Sequence, residues 1–207
     1  MKSFSMTIDG QLVETNLRFN VVNPATEEVV GNVPVGNASN VDDAVAAAAK
    51  AFPAWSSLSD EARSETLNEL ACLLESNMQE LMELVTLETG KPLTGLGGVG
   101  SAMEIGGAIA WTRTTAALSL PVDIIQDDET ARVEVHRKPL GVVGSITPWN
   151  WPLMIAIWHV MPAIRTGNTV IVKPSELAPL ATARFVELAN QILPKGVLNL
   201  VTGPAGS

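Results

Sequence analysis

Apolar positions recur at three- and four-residue steps through the first half of the chain and form short unbroken runs in its last third. From Ser59 onward the spacing predicts helices with one apolar face, interrupted near Asn77. The apolar positions on that face are Leu67, Leu70, Ala71, Leu74, Met78 and Leu81. A helix with one apolar stripe must bury it, so we expect these helices to pack against a second apolar layer.

Two shorter patterns precede these helices. Residues 17–35 predict two short strands joined by an Asn-Pro turn, which together form a β hairpin. Residues 39–52 predict a helix with Ser39 or Asn40 as its N-cap, and we expect Pro53 to end it.

The pattern changes after Pro139. Short runs of β-branched residues then alternate with helical patterns, in the order "GVVGSIT", "LMIAIWHVMPAI", "NTVIVKP", "LATARFVELANQIL" and "GVLNLVT". This order predicts a βαβαβ unit with parallel strands, which is an α/β fold. Ligands of such sheets bind outside the carboxyl ends of the strands.

The composition excludes several classes of function. Hydrophobic residues make up 46% of the 207 residues, but the longest apolar stretch is broken by Pro152, His159 and Pro162. That stretch is too short to span a bilayer, and the N-terminus shows no apolar signal segment, so we expect a cytoplasmic protein without a membrane partner. A net charge of -9 makes a nucleic-acid partner unfavourable.

Cysteine and histidine are too few to form a disulfide or a metal site. Cys72 is the one cysteine, which excludes an internal disulfide. It lies within an apolar helical pattern and is expected to be a packing residue. The two histidines, His136 and His159, have no metal-ligand spacing, so no metal is expected.

The segment "GLGGVG", Gly95 to Gly100, has the glycine spacing of a dinucleotide-binding loop. Such a loop must follow a strand and open a helix. Here a helical pattern ending at Gly90 precedes it, so the required strand is absent. A flexible lead-in to the next helix is the preferred interpretation, and nucleotide binding is the alternative.

Two polar turns follow the first two predicted strands of the βαβαβ unit. In "TPWNWPL", Pro148 and Pro152 stiffen the turn that presents Asn150, whose amide can donate a hydrogen bond to a developing negative charge. The alternative is that Asn150 caps the following helix. In "KPSE", Lys173 and Glu176 either form an ion pair or hold the two hydroxyls of a ribose.

Residues 138–180, together with "FNVVNPATEEVVGNVP", "AFPAWSSLSDEAR" and "LETGKPL" upstream and "LPKGVLNLVTG" downstream, carry a family resemblance. They resemble the NAD(P)-dependent aldehyde dehydrogenase superfamily over nearly the whole chain. The fold class implied is α/β, with an incomplete Rossmann-like parallel sheet preceded by a helical region and a short β hairpin. The implied division is 1–121 for the hairpin and helices, 122–140 for oligomerisation-type strands, and 141–207 for half of a cofactor-binding domain.

The resemblance implies roles for particular residues. Asn150 matches the residue that polarises the aldehyde oxygen. The residues matching cofactor contacts are Ile146, Thr147, Pro148, Trp149, Lys173, Ser175, Glu176 and Gly203. The residues matching the substrate tunnel are Trp151, Met154, Ile155 and Trp158, although ordinary helix core is an alternative for these four. A carboxylate at Glu176 repels a 2′-phosphate, so NAD is expected rather than NADP.

The chain also departs from the family pattern. His159 stands where relatives often have lysine, and the nucleophilic cysteine and general-base glutamate of relatives lie beyond position 207. We therefore expect an N-terminal portion of a homo-oligomeric enzyme that oxidises a small-molecule aldehyde, either aliphatic or aromatic, and we expect this portion to be inactive on its own. The alternative is a noncatalytic chain that binds nucleotide weakly or assembles only with full-length relatives.

Overall fold

The computed structural model describes residues 1–204, with only the backbone of Leu96. The strands are β1 (Lys2–Ser3), β2 (Met6–Ile8), β3 (Gln11–Val13), β4 (Arg18–Val22), β5 (Val29–Pro34), β6 (Asp123–Asp127), β7 (Arg132–Val135), β8 (Val142–Ile146), β9 (Thr169–Lys173) and β10 (Leu198–Leu200). The helices are α1 (Ala38–Ser56), α2 (Asp60–Ser76), α3 (Met78–Thr89), α4 (Ser101–Ala117), α5 (Pro152–Arg165) and α6 (Leu180–Ala189).

The main sheet has the order β3-β2-β10-β9-β8. Strands β8, β9 and β10 are parallel, and α5 and α6 connect them, which confirms the predicted βαβαβ unit. Strand β2 adds to β10 in the antiparallel direction and brings β3 with it. This N-terminal addition was not predicted. All three residues of β2 are buried, so it protects an edge that the three parallel strands leave open.

Two smaller sheets lie outside the main one. The predicted hairpin of residues 17–35 is confirmed as β4 and β5, which pair antiparallel, and β1 adds to β5. Strand β7 pairs with β6 in a second hairpin. The alternation of apolar and polar residues in β7 predicts one buried and one solvent-exposed face, but all four of its residues are exposed. Nothing within residues 1–204 covers the apolar side of this hairpin.

Two boundaries of α1 differ from the prediction. Asn37 is the N-cap and forms a reciprocal pair with the side chain of Asn40, so the cap lies two residues before Ser39 and three before Asn40. The helix also continues through Pro53 to Ser56. A proline removes one backbone donor from a helix, and here the chain tolerates that loss close to the end of the helix.

Helices cover both faces of the main sheet. Val170 and Val172 of β9 belong to the larger core with α5 and α6, whereas Ile171 packs with the smaller core that α1 forms with β2. This alternation is typical of a sheet buried on both faces. The indole of Trp55 on α1 donates to the carbonyl of Ile164 at 3.0 Å, which joins α1 to the end of α5.

Helices α4 and α5 run side by side in the same direction. At their beginnings, Glu104 of α4 accepts hydrogen bonds from the backbone of α5. At their ends, the guanidinium of Arg165 on α5 donates to the carbonyls of Ala116 and Leu118. The same guanidinium pairs with both carboxylate oxygens of Asp60, at 2.5 and 2.7 Å. The two helices are thus held together by side chains at both ends.

Candidate functional site

The two polar turns predicted from the sequence lie next to each other. Ile146 at the end of β8 is the register partner of Lys173 at the end of β9. The backbone N–H of Thr147 also donates to the carbonyl of Lys173 at 3.1 Å. Both turns therefore follow the carboxyl ends of neighbouring strands and lie at the same end of the sheet, as parallel pairing requires.

Asn150 presents a free amide at this edge. It is exposed, and its side chain makes no hydrogen bond to any of residues 1–204. The N-cap of α5 is Trp151, which provides no side-chain cap. Among the described residues, Asn150 is therefore not used as a helix cap, and its amide can donate to a ligand.

Glu104, and not Asn150, accepts hydrogen bonds from the backbone N–H groups at the start of α5. Its side chain is fully buried, and Oε1 accepts from the backbone N–H groups of Leu153 and Met154 at 3.0 and 3.2 Å. Its other oxygen pairs with Nζ of Lys91 at 2.5 Å. The same ammonium lies 3.9 Å from the centre of the Trp151 ring, a cation–π contact. Sequence reasoning missed Glu104 and Lys91, because the helical pattern does not reveal which distant element a buried carboxylate faces.

Lys173 and Glu176 are near each other without forming a close pair. Their charged groups are 3.9 Å apart, and about a third of each side chain is exposed. The hydroxyl of Ser175 accepts from the backbone N–H of Leu177 at 3.2 Å, which shapes the turn. The turn thus presents one cation and one carboxylate that a ligand can reach.

A second buried carboxylate, Glu88 of α3, caps the helix after this turn. Its oxygens accept from the backbone N–H groups of Leu180 and Ala181 at 2.5 and 3.1 Å. Burial raises the pKa of Glu88 to about 8, although the two N–H groups act in the opposite direction. Sequence reasoning missed this residue as well.

A cavity of about 280 Å³ brings the two turns together with the N-terminal region. Trp149 comes from the first turn, and Glu176 and Leu177 come from the second. Asn20 and Pro24, near the end of β4, line the other side. The cavity is large enough for part of a nucleotide, but not for a whole dinucleotide.

The four predicted tunnel residues share one side of α5. Trp151, Met154 and Ile155 are half-buried and Trp158 is exposed, whereas the core side of α5 is formed by other residues. Within residues 1–204, these four side chains lie outside the fully buried side of α5. Gly107 of α4 lets Met154 approach closely, since a Cβ there would lie 2.8 Å from Sδ of Met154.

Trp111 of α4 extends this apolar side and was missed by sequence reasoning. Its ring centre lies 5.9 Å from that of Trp158, with the planes tilted by 53°. Both tryptophan residues are 41% exposed. Trp111 belongs to a segment with a helical pattern, but nothing in the sequence indicates that α4 and α5 are parallel neighbours.

His159 and Thr147 are polar groups close to the first turn. Nδ1 of His159 lies 3.0 Å from the hydroxyl of the buried Ser145, within hydrogen-bonding distance. The hydroxyl of Thr147 is buried without a hydrogen-bond partner among the described residues. Such an unpaired hydroxyl is costly to bury and is typical of a place where a ligand or water completes the structure.

The remaining predicted residues fall in different places. Pro148 is half-buried in the first turn. Gly203 is buried and follows β10, the strand that pairs with β9. The end of the phosphate-side segment, residues 205–207, lies outside the described residues. The "GLGGVG" segment follows α3 and a loop, so the strand that a dinucleotide loop needs is absent there.

Cys72 is not the packing residue that the sequence suggested. Its thiol is exposed on α2, and the guanidinium of Arg113 lies 3.9 Å from Sγ. The apolar pattern was read too broadly, because Cys72 lies next to the buried stripe of α2 and not within it.

Another cavity, of about 400 Å³, lies away from the two turns and contains no predicted site residue. Its lining includes Asp60, Arg63 and Arg165, whose charged groups already pair with one another or with backbone carbonyls.

None of the helices within residues 1–204 is long and apolar enough to cross a bilayer.

A parallel strand-helix-strand sheet with adjacent polar turns at its carboxyl edge places the protein in the Rossmann-like class of α/β proteins. The chain belongs to the aldehyde dehydrogenase family, because the sequence profile of that family matches residues 12–207.

Three comparisons illustrate the relationship. Phenylacetaldehyde dehydrogenase of Pseudomonas fluorescens is 40% identical over 96% of this chain and 41% of its own. The structure of betaine aldehyde dehydrogenase from Staphylococcus aureus in complex with NAD+ has a TM-score of 0.91, at 31% identity over 100% of this chain and 43% of its own. An NADP-dependent enzyme of Escherichia coli has a TM-score of 0.92, at 32% identity over 99% and 43%. The chain thus spans about two fifths of the length of these relatives.

Proposed function

We propose that this chain is the cofactor-binding portion of an NAD-dependent aldehyde dehydrogenase that oxidises an aldehyde to a carboxylic acid. The observation that carries the proposal is the position of the free Asn150 amide beside the Lys173 and Glu176 turn, on adjacent parallel strands. Family membership and a relative in complex with NAD+ support a nicotinamide cofactor.

The residues at the edge of the sheet fit that cofactor. Lys173 supplies a donor and Glu176 an acceptor, which is the combination that the two hydroxyls of a ribose need. A carboxylate at Glu176 disfavours a 2′-phosphate, so we propose NAD rather than NADP. Ile146, Thr147, Pro148 and Trp149 border the cofactor on the other turn, and we include Gly203 as a contact at the phosphate end.

Asn150 has the chemical role in this proposal. Its amide donates to the aldehyde oxygen and stabilises the negative charge that develops there, which contributes on the order of 3 kcal/mol to the transition state. The bound nicotinamide supplies hydride acceptance. The stiff Pro148 to Pro152 turn holds the donor in place before substrate arrives, so little ordering is needed on binding.

The apolar side of α5 suggests the class of substrate. Trp151, Met154, Ile155 and Trp158, extended by Trp111, offer aromatic and aliphatic surface near Asn150. We propose an aromatic or long aliphatic aldehyde, because such a wall gains free energy from burying apolar substrate surface.

We propose that the nucleophile and the general base come from outside these residues. Cys72 is placed on α2, whereas Asn150 precedes α5, and no residue of the proposed site contacts the thiol among residues 1–204. We therefore propose that the isolated chain is inactive. The second candidate is a noncatalytic chain that binds nucleotide without oxidising an aldehyde. The lack of contact between Cys72 and the proposed site favours this candidate as well.

Two measurements test the proposal. Purified chain mixed with NAD and a set of aldehydes is expected to form no NADH, and steady turnover would contradict the assignment of the nucleophile. Calorimetry is expected to detect NAD binding that weakens about tenfold or more in Glu176→Ala, since a charged hydrogen bond to ribose is lost.

The matched control is Glu129→Ala, which removes an exposed carboxylate from the β6–β7 hairpin. Equal NAD affinity in Glu176→Ala and Glu129→Ala would remove the ribose assignment. The cytoplasmic location and the assembly into homo-oligomers stay predictions.

A further inference from the structure

The start of α5 depends on a side chain from another helix. A helix leaves its first backbone N–H groups without partners, and a side chain at the N-cap usually satisfies them. Here Oε1 of Glu104 accepts from Leu153 and Met154, 49 and 50 residues away in sequence. The carboxylate also complements the positive end of the helix dipole.

Lys91 makes this arrangement possible. A fully buried carboxylate is costly unless a cation and hydrogen bonds compensate it, and Lys91 provides the cation at 2.5 Å. Lys91 also lies over the Trp151 ring at 3.9 Å. One ammonium thus contacts both the residue that caps α5 and the residue that precedes its first turn.

The glycine segment explains how Lys91 and Glu104 come together. The N–H groups of Ser101 and Ala102 donate to the carbonyls of Pro92 and Leu93, both at 3.0 Å. At Gly100, a Cβ would lie 2.5 Å from the Pro92 carbonyl, so only glycine permits this approach. The loop folds back on the beginning of α4 and places Glu104 beside Lys91.

We propose that Lys91 and Glu104 are positioning residues that hold the Trp149 to Trp151 turn in the geometry needed for ligand binding. The proposal rests on the proposed function, since it concerns the turn that carries Asn150. Without the ammonium, Trp151 and the adjacent backbone can move, and the ligand must order them when it binds. Ordering one or two residues on binding weakens affinity by about tenfold.

The decisive experiment compares NAD binding by calorimetry in the wild type, Lys91→Met and Lys91→Arg. Lys91→Met is expected to raise the dissociation constant about tenfold, with a less favourable binding entropy. Lys91→Arg is expected to recover most of the affinity, because a guanidinium can both pair with Glu104 and stack on Trp151. A residue that serves only overall stability would not give this entropy change and recovery.

The matched control is Arg113→Met, which removes a different ion pair of α4, the one to Glu75 at 2.6 Å, without touching α5. Lys91→Met and Arg113→Met binding NAD equally well would overturn the proposal. Glu104→Gln provides a second variant if Lys91→Met does not fold. It keeps an oxygen acceptor for Leu153 and Met154 but weakens the pairing with Lys91, and unchanged affinity there also counts against the proposal.

A wild-type chain that does not bind NAD would remove the proposed cofactor site while leaving the positioning role testable. Amide hydrogen exchange at Leu153 and Met154 then provides the answer. Exchange that is at least tenfold faster in Lys91→Met than in Arg113→Met supports the role, and equal exchange overturns it.

Discussion

Asn150 differs from the buried carboxylates near the two polar turns, because its side chain has no hydrogen-bond partner among residues 1–204. Glu104 and Glu88 are buried and accept two backbone hydrogen bonds each, whereas Asn150 is exposed and makes none within the described part of the chain. A polar side chain in a stiff turn that contributes nothing to the fold is available for binding.

Replacing Asn150 with alanine should therefore leave stability nearly unchanged. We expect Asn150→Ala to alter the free energy of unfolding by less than about 0.5 kcal/mol, as for other exposed positions. Glu104→Ala, by contrast, should cost roughly 2 kcal/mol or more, because it leaves buried N–H groups and the Lys91 cation without partners. Urea unfolding of both variants makes the comparison. A loss above about 1 kcal/mol in Asn150→Ala would assign that residue to the fold instead.

Glu88 should make stability depend on pH. Its pKa is raised to about 8 in the folded chain, whereas an unfolded glutamate ionises near about 4.3. Between these values the folded state binds the extra proton, so the contribution of Glu88 is complete at low pH and is lost as pH rises through about 8.

We expect Glu88→Gln to reduce the fall in stability between about pH 5 and pH 8, measured by urea unfolding. Glu83→Gln is the control, since Glu83 is an exposed carboxylate on the same helix. The same fall in both variants would show that Glu88 is ionised in the folded chain throughout.

At this scale the sequence predicted the residues in the two turns of the candidate site and missed the residues that support those turns from other helices. Asn150, Lys173 and Glu176 lie in short turns after strands, and strand ends can be located from local pattern. Glu104 and Lys91 act through contacts between segments far apart in the chain. Local pattern shows that a residue is on a helix, but not which helix start it faces.

Among the elements, the parallel pair α4 and α5 is held at its C-terminal end by Arg165. This guanidinium is 6% exposed and bonds to Asp60 and to two carbonyls that end α4. It also lowers the pKa of Asp60 through a side-chain hydrogen bond. One buried cation thus joins α2, α4 and α5.

Removing this cation should loosen all three helices. We expect Arg165→Met to lower the free energy of unfolding by roughly 2 kcal/mol, because it removes the hydrogen bonds from α5 to the carbonyls of Ala116 and Leu118. The partial exposure of Asp60 limits the loss from the broken ion pair. Chemical denaturation should show that Arg132→Met, which removes two ion pairs of the exposed hairpin, is nearly neutral. Equal losses would contradict the joining role of Arg165.

The order of elements was predictable where local signals were strong. The βαβαβ unit follows from alternating patterns bounded by glycine and proline. The addition of β2 and β3 to the main sheet was not predictable, because strands of three residues carry little periodicity and their pairing partner is far away in sequence. The run of α1 through Pro53 likewise depends on packing of Trp55 against α5.

At the scale of the whole molecule, one side of the main sheet is open and several tryptophans are exposed. Strand β8 ends the main sheet, and no described strand pairs with its outer edge. Trp111, Trp149 and Trp158 are also exposed. The chain spans about two fifths of the length of the relatives it matches.

An open edge next to apolar surface should promote association. We expect the isolated chain to self-associate as its concentration rises, and Val142→Lys on β8 to reduce this association because a charge blocks edge pairing. Light scattering against concentration provides the measurement. The control is Val22→Lys, which introduces the same charge at an exposed valine of β4. The same reduction in both variants would attribute the effect to net charge.

The hairpin formed by β6 and β7 leaves and re-enters the body of the protein at nearly one point. Arg137, just after β7, donates to the carbonyl of Pro121 and to the carboxylate of Asp123, just before and at the start of β6. The chain can therefore be shortened here, or cut by a protease at the hairpin tip, without disturbing the order of the main sheet. A change in the length or sequence of this arm is therefore expected to leave the two polar turns at the carboxyl ends of β8 and β9 unaltered.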